Sequence, residues 1–429
     1  MRTIAFDLSR TLIGAASDTP RGIDRVDMGY ARHFFAEGGG GNIGLLPSAH
    51  RMGVLDGARS DQLTSLVERH WRESRPASDD ALHHWLQRRI AGEHPPRPAP
   101  PAAARTGIGA ARLYGALAQA AKGALVRPAI ARVPQGAVYV NIGQVLLGWG
   151  WFFDWLDKRP DVRPVFMLHD LIPVLHPEYT GPLLSRHHQR AVQTAARRAA
   201  AMVATSHASA DEIRDALKRL GRLDMPIHVT PLPVGAAFLE QTAAASRADF
   251  PPYFVSVGAI DQRKNHLLLL HVWREMASRG KGPVPKLVIV GVRGQRSTQA
   301  LELMNDRPDL AENVIEVNGL STPAMRELIR GARALLMPSF TEGFGLPVTE
   351  ALALGAPVIA SDIRAHREVG GSFCCYLDPL DGLGWLHEIE ARAGESADQF
   401  EARRRDLHGR RTQTWASYFE QVSPFLADL

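Results

Sequence analysis

Short apolar runs recur along this chain, alternating with stretches patterned for amphipathic helices. In the first half the runs fall at residues 2–8, 137–142, 164–168, 201–205 and 227–231, and in the second at 253–257, 286–290, 314–317, 334–337 and 357–360. Each is short and rich in Val, Ile, Phe or Met, so they read as strands. Between them the period changes to 3.6, predicting helices near residues 28–35, 63–90, 183–200 and 266–276, with another starting at Ser206. Strands that alternate with helices at this spacing form parallel sheets covered on both faces. The pattern therefore predicts an α/β protein with two Rossmann-like, doubly wound halves. Periodicity lapses over the alanine-rich stretch 243–252, placing a first domain at 1–245 and a second at 250–405. Residues 406–429 add a last helix whose Trp415, Phe419, Val422 and Phe425 form a core-facing stripe, able to pack back across the domains.

The first domain carries an excursion over about residues 63–133. Its charged helical opening leads into a stiff connector, Pro95-Pro-Arg-Pro-Ala-Pro-Pro101, and a mobile segment is expected. Within residues 110–126, Leu113, Leu117, Ala121 and Leu125 share one stripe. That stripe fits either a basic helix lying on a membrane or an ordinary helix packed on its own domain.

Length agrees with this division, since 429 residues exceed one ordinary core and suit two. A composition 45% hydrophobic and 22% charged is globular, which argues against disorder. No window reaches about 18 uninterrupted apolar residues, and Asp7 interrupts the place where a secretory leader needs an apolar stretch. A cytoplasmic protein is expected, with at most a peripheral hold on the inner face of the membrane. The only cysteines, Cys374 and Cys375, are adjacent, so neither a disulfide framework nor a cysteine metal site follows. Net charge is +5, a mild excess that suits an anionic small molecule or surface and does not call for nucleic acid. Its distribution says more. From His94 to Phe153 there is no acidic residue, while Arg97, Arg105, Arg112, Lys122, Arg127 and Arg132 recur, so this segment suits an anionic surface.

The chemistry concentrates between Pro338 and Asp362. A strand end is followed by Glu342, a glycine turn, a short helix opened by Pro347 and closed by Gly355, and another strand. The amides of Gly343, Phe344, Gly345 and Leu346 then stand at a helix N-terminus, where unpaired N–H groups and the helix dipole favour a phosphate. Glu342 and Glu350 accompany them, both able to face the crevice above the strand ends where open parallel sheets bind ligands. A phosphate cradle beside two hydroxyl-accepting carboxylates suits a sugar nucleotide.

This block, with Gly258-Ala-Ile-Asp-Gln-Arg263-Lys264-Asn265-His266 before it and Ser361-Asp362-Ile363 and Arg367-Glu368-Val369 after it, resembles the retaining glycosyltransferases of family 4. The resemblance covers residues 250–375 and is weaker in the first half, where it rests on Gly22, on His169-Asp170-Leu-Ile-Pro173 and on Ala204-Thr205-Ser206. It implies the GT-B fold, a donor held mainly by the second domain, an acceptor held mainly by the first, and no metal ion or other cofactor. By the resemblance, Arg263 and Lys264 are the cations that grip the diphosphate. Ala259 departs from the pattern, because many relatives place an arginine there. Glu350 is implied to accept the ribose hydroxyls and Glu342 to face the transferred sugar. Gly22 admits a close backbone approach, His169 lies near the donor sugar, and the strand end at Val317 to Leu320 meets the base. Asp24 and Arg25 are candidate acceptor contacts.

The implied activity is retaining transfer of a hexose, mannose from GDP-mannose, to a glycan or polyprenyl-diphosphate-linked oligosaccharide in bacterial surface polysaccharide synthesis. A UDP-hexose or dTDP-deoxysugar donor stays open. So do a nucleotide-sugar epimerase or hydrolase and a non-catalytic scaffold on the same fold.

Overall fold

The computed structural model describes residues 2–16, 20–48, 51–72, 77–99, 129–240, 251–280, 282–294, 296–407, 410 and 412–429. The predicted helix over 110–126, most of the acid-free basic segment and all but the last two residues of the predicted boundary at 243–252 lie outside these residues.

Two sheets organise the chain. The first contains β1 (Ile4–Asp7), β2 (Ile43–Ser48), β3 (Arg51–Leu55), β4 (Val138–Asn141), β5 (Arg163–Met167), β6 (Ala201–Ala204) and β7 (Ile227–Val229), in the order β3-β2-β1-β4-β5-β6-β7. The second contains β8 (Tyr253–Val257), β9 (Lys286–Val290), β10 (Val314–Val317), β11 (Ala334–Met337), β12 (Val358–Ser361) and β13 (Cys375–Leu377), in the order β10-β9-β8-β11-β12-β13. Every strand of the second sheet pairs in parallel, in keeping with strands that are mostly apolar and, apart from the edge strand β13, mostly buried. In the first sheet the order reverses between β1 and β4, leaving a crevice at their C-terminal ends.

The parallel expectation fails at one place. β3 runs antiparallel to β2 through the register Gly44↔Leu55 to Ser48↔Arg51. This edge hairpin holds glycines at 44 and 53 and Pro47, residues that break an apolar strand signature, and the two residues that separate Ser48 from Arg51 are too few to connect parallel strands. The predicted helix over 63–90 is in fact two, Gly57–Arg72 and Ala81–Ile90. Nor is the described end of the excursion free of the body. The Asp80 side chain caps Ala81–Ile90 and also accepts from the Ser321 amide at 2.9 Å, Arg89 donates to the Ala311 carbonyl at 3.1 Å, and His94 lies 3.2 Å from Glu312. These bonds dock residues 77–99 on the second unit.

The last helix, Trp415–Ala427, is opened by a Thr414–Ser417 capping box and lies on the helix Gly22–Phe35 of the first unit. Tyr30 and Tyr418 share a hydroxyl–hydroxyl bond of 2.6 Å, His33 stacks on Phe419 with centroids 3.6 Å apart, and Tyr30 meets Phe419 edge-on at 5.1 Å. A methyl group on Gly29 would fall 2.1 Å from the Trp415 ring, so only glycine admits the indole. The chain thus ends on the unit where it began. Among the described residues no helix is long and apolar enough to cross a membrane. Phe419 is buried at the centre of this contact, and Phe419→Ala is expected to cost about 3–5 kcal/mol in urea unfolding; a loss below about 1 kcal/mol would contradict the packing described.

Candidate active site

Two loops of the second sheet build the site. After β8 the chain passes Gly258, and Asp261 caps a single turn, Gln262–Lys264, by accepting from the Lys264 amide at 3.0 Å. Asn265 then adopts φ +54° and lets the helix His266–Arg279 leave in a new direction. The Lys264 side chain runs back over Gly258, where a Cβ would lie 2.9 Å from its Cε. After β11 the second loop carries Ser339, Phe340, Thr341 and Glu342, and Gly345 at φ +104° opens the helix Leu346–Ala353. The Phe340 amide donates to the Arg263 carbonyl at 2.9 Å, which fixes one loop against the other.

Where the loops meet, Glu342 sits between two cations. Arg263 Nη1 donates to its Oε2 at 2.6 Å, and Lys264 Nζ to Oε1 at 2.5 Å. Ser339 Oγ adds a bond to Oε1 at 2.7 Å. Burial alone would raise this carboxyl, but the Lys264 and Arg263 charges outweigh it and hold Glu342 well below the usual carboxylate range. The site therefore brings together Arg263, Lys264, Glu342, Gly343, Phe344, Gly345 and Leu346.

The first unit closes over this cluster. A Cβ on Gly343 would lie 2.7 Å from the His169 carbonyl oxygen and 2.8 Å from Asp170 Cβ, so the units touch through a glycine. Ser206 and Ser209 both donate to the Gly343 carbonyl at 2.9 Å. At Gly22 a Cβ would meet Leu346 Cδ1 at 3.1 Å. Gly22 opens the helix Gly22–Phe35 instead of forming a positive-φ turn, so its close approach is to the second unit's helix N-terminus. From that helix Arg25 Nη1 reaches Glu350 Oε1 at 2.8 Å. Burial pushes the Glu350 carboxyl up, and the Arg25 charge offsets part of the rise.

His169 is buried, and its Nε2–H donates to the Ile142 carbonyl at 2.9 Å. Burial lowers its pKa to about 4, so the ring is neutral at neutral pH. Val317 and Leu320 stand apart. The Val317 carbonyl accepts from the Gly291 amide at 3.0 Å at the far edge of the sheet, and Leu320 is buried beside Ser321, which holds Asp80. The candidate acceptor contacts have internal partners instead. Asp24 accepts from Arg10 at 2.6 Å and from the Arg21 amide at 2.7 Å, while Arg25 is the Glu350 partner.

Several residues at the site were given no role in the sequence. The Asp170 carboxyl is pushed up by burial, and the Arg263 charge partly offsets the rise. His366 donates from Nδ1 to the Ser361 carbonyl at 3.0 Å and lies against Gly345, while its buried Nε2 has no partner among the described residues. In the crevice between β1 and β4, Tyr139 and Asn141 donate to Asp7 at 2.5 and 3.0 Å. Gln144 follows at φ +56°, with its buried Nε2 likewise unpartnered among the described residues. The strand ending at Asn141 was legible, yet neither the strained residue after it nor the depth of Asp7 leaves a mark in one sequence.

With this geometry in view, comparison with known proteins is direct. Residues 240–373 match the family Glycosyl transferases group 1. The chain is similar to the serotype-specific mannosyltransferase WbdA of Escherichia coli, 28% identical over 229 residues, which are 49% of this chain and 27% of that protein. It is also similar to the O-antigen chain mannosyltransferase RfbU of Salmonella typhimurium, 32% identical over 32% of this chain and 37% of that one. The chain thus spans well under half the length of either relative. Across its whole length it superposes on the crystal structure of Anabaena HepE in complex with UDP and glucose, with a TM-score of 0.62 at 17% identity and full coverage of both chains. The architecture is the GT-B fold, as the resemblance implied.

One group beneath the crevice tests the electrostatics. Burial pushes the Asp27 carboxyl up to about 8, and a 2.7 Å bond from Thr11 offsets only part of that. Between its ordinary value of 3.8 and about 8 the native state keeps a proton that the unfolded chain has released, so this contribution to stability falls as pH rises. Asp27→Asn removes that dependence. The unfolding free energy of the variant relative to wild type is expected to grow by about 2–4 kcal/mol between pH 5 and pH 8.5 in urea titrations.

Proposed function

We propose that this chain is a retaining, metal-independent glycosyltransferase of family 4 that moves mannose from GDP-mannose to a glycan or polyprenyl-diphosphate-linked oligosaccharide, in bacterial surface polysaccharide synthesis at the cytoplasmic face of the membrane. The observation that carries the reading is the meeting of Lys264 and Arg263 on Glu342, next to the Gly343 to Leu346 turn that opens a helix, with His169 and Asp170 of the first unit packed against Gly343. Similarity to mannosyltransferases of O-antigen synthesis supports the choice of sugar and process.

In this mechanism the bond from the anomeric carbon to the diphosphate breaks first, and charge grows on the leaving oxygen. Lys264 and Arg263 turn from Glu342 to that diphosphate, and the helix N-terminus supplies its amides; fixed dipoles and cations of this kind stabilise developing charge without a metal. The acceptor hydroxyl attacks the face the diphosphate is leaving, so configuration is retained, and its proton passes to the departing phosphate oxygen. Glu342, released from its cations, accepts hydrogen bonds from the transferred sugar's hydroxyls. It is not the nucleophile. A carboxylate held far below its usual pKa by two cations is a weak nucleophile, and retaining hydrolases that use one keep their two carboxyl groups about 5–5.5 Å apart for that purpose. Glu350 takes the ribose hydroxyls in place of Arg25, and neutral His169 orients the donor sugar.

Release of GDP from GDP-mannose by the purified chain tests this reading. Lys264→Ala is expected to lower kcat about 100- to 1,000-fold, a chelator to leave the wild-type rate unchanged, and intact-mass spectrometry to find no sugar on Glu342. Activity abolished by the chelator, or a covalent mannose on Glu342, would overturn it.

A further inference from the structure

Beside the Arg263 loop, on the seam between the two units, lies a cavity of about 270 Å³ that the mechanism leaves unused. Its walls come from both units: Tyr179 from the short helix Pro177–Thr180, and Phe340 from the loop after β11. The two rings are nearly parallel, 3° apart with centroids at 6.3 Å. Gln262, Arg296 and Gln299 supply polar groups around them.

Four features define the occupant. The volume falls below the roughly 300–1,000 Å³ of pockets for drug-sized ligands, so it suits one ring and not a chain. The lining joins apolar ring faces to carboxamides, which both donate and accept as a hydroxyl does. A buried imidazole, His266, also lines it, and its Nδ1 has no partner among the described residues. Burial first, and then the nearby Lys264 and Arg263 charges, lower the His266 pKa to about 3, which keeps the ring neutral. Asp261 and Arg296 share the same lining, so the walls carry both signs of charge. A neutral polyol meets every one of these groups; a phosphate would face the Asp261 carboxylate and a histidine that does not protonate.

We propose that this cavity is a saccharide subsite holding one pyranose residue of the acceptor glycan, remote from the reacting hydroxyl. The assignment of that residue to the acceptor rests on the glycosyltransferase reading; the binding of a sugar ring there does not. Because Tyr179 and Phe340 belong to different units, an occupied subsite also holds the seam closed.

Saturation-transfer NMR with the methyl pyranosides of mannose, glucose, galactose, rhamnose and N-acetylglucosamine tests the subsite on the full chain, with GDP affinity measured in parallel by calorimetry. At least one glycoside is expected to bind wild type. Tyr179→Ala, and independently the mild surface change Gln299→Leu, are expected to weaken that glycoside about tenfold or more while GDP affinity changes less than about twofold. No glycoside binding, equal binding by wild type and both variants, or displacement of the glycoside by inorganic phosphate would each overturn the subsite. Failure of wild type to bind GDP while the glycoside result holds would strike the donor reading and leave the subsite standing.

Discussion

A single carboxylate organises this molecule. The Glu342 side chain, only 9% exposed, lies between Lys264 and Arg263, and breaking such a group leaves an uncompensated charge that typically costs about 3–5 kcal/mol. Two loops from different strands are thereby locked in one arrangement, with the Phe340 amide on the Arg263 carbonyl as a second tie. The same arrangement sets two cations beside the turn that opens the helix Leu346–Ala353, a combination suited to holding a pyrophosphate. The carboxylate itself satisfies both cations. In the proposed mechanism it is both the resting partner of the charge and the group that the sugar hydroxyls meet once a diphosphate takes over.

The first unit contributes closure as well as a second wall. The hydroxyls of Ser206 and Ser209 converge on the Gly343 carbonyl, and Glu368 accepts from the His207 and Ala208 amides at the start of the helix His207–Arg219. That places a carboxylate of one unit at the positive end of a helix of the other, a favourable charge–dipole contact. Arg364 reaches Asp211 at 2.7 Å nearby, but this pair is exposed and adds little. Arg25 on Glu350 completes the seam. The final helix, seated on Tyr30 and His33, ties the far end of the chain to the same unit that supplies Arg25. Donor entry in the proposed mechanism must therefore exchange seam contacts for ligand contacts, with opening and closing of the units as the accompanying motion.

Sequence reading went furthest where the signal is local. The strands from β8 to β12 are short, mostly apolar runs, and the glutamate–glycine turn with Pro347 and Gly355 marks a helix start and stop within a few residues. It failed where a partner is remote. Arg25 could be seen as a charge near a glycine, but its partner is Glu350, 325 residues away. The β2–β3 hairpin hid behind glycines and Pro47. Residues 77–99, read as part of a mobile segment, are held by Asp80, Arg89 and His94 on groups of the second unit that no periodicity reveals. Gln144, Asp27 and His366 matter through burial, and burial is a property of the assembled fold.

The claim on which this account turns is that Glu342 competes with the diphosphate for Lys264 and Arg263. Calorimetric titration of wild type and Glu342→Gln with pyrophosphate, the part every nucleotide-sugar donor shares, tests it most directly. Freed of the carboxylate's charge, the two cations are predicted to bind pyrophosphate about tenfold more tightly in the variant. Unchanged or weaker binding would contradict the account.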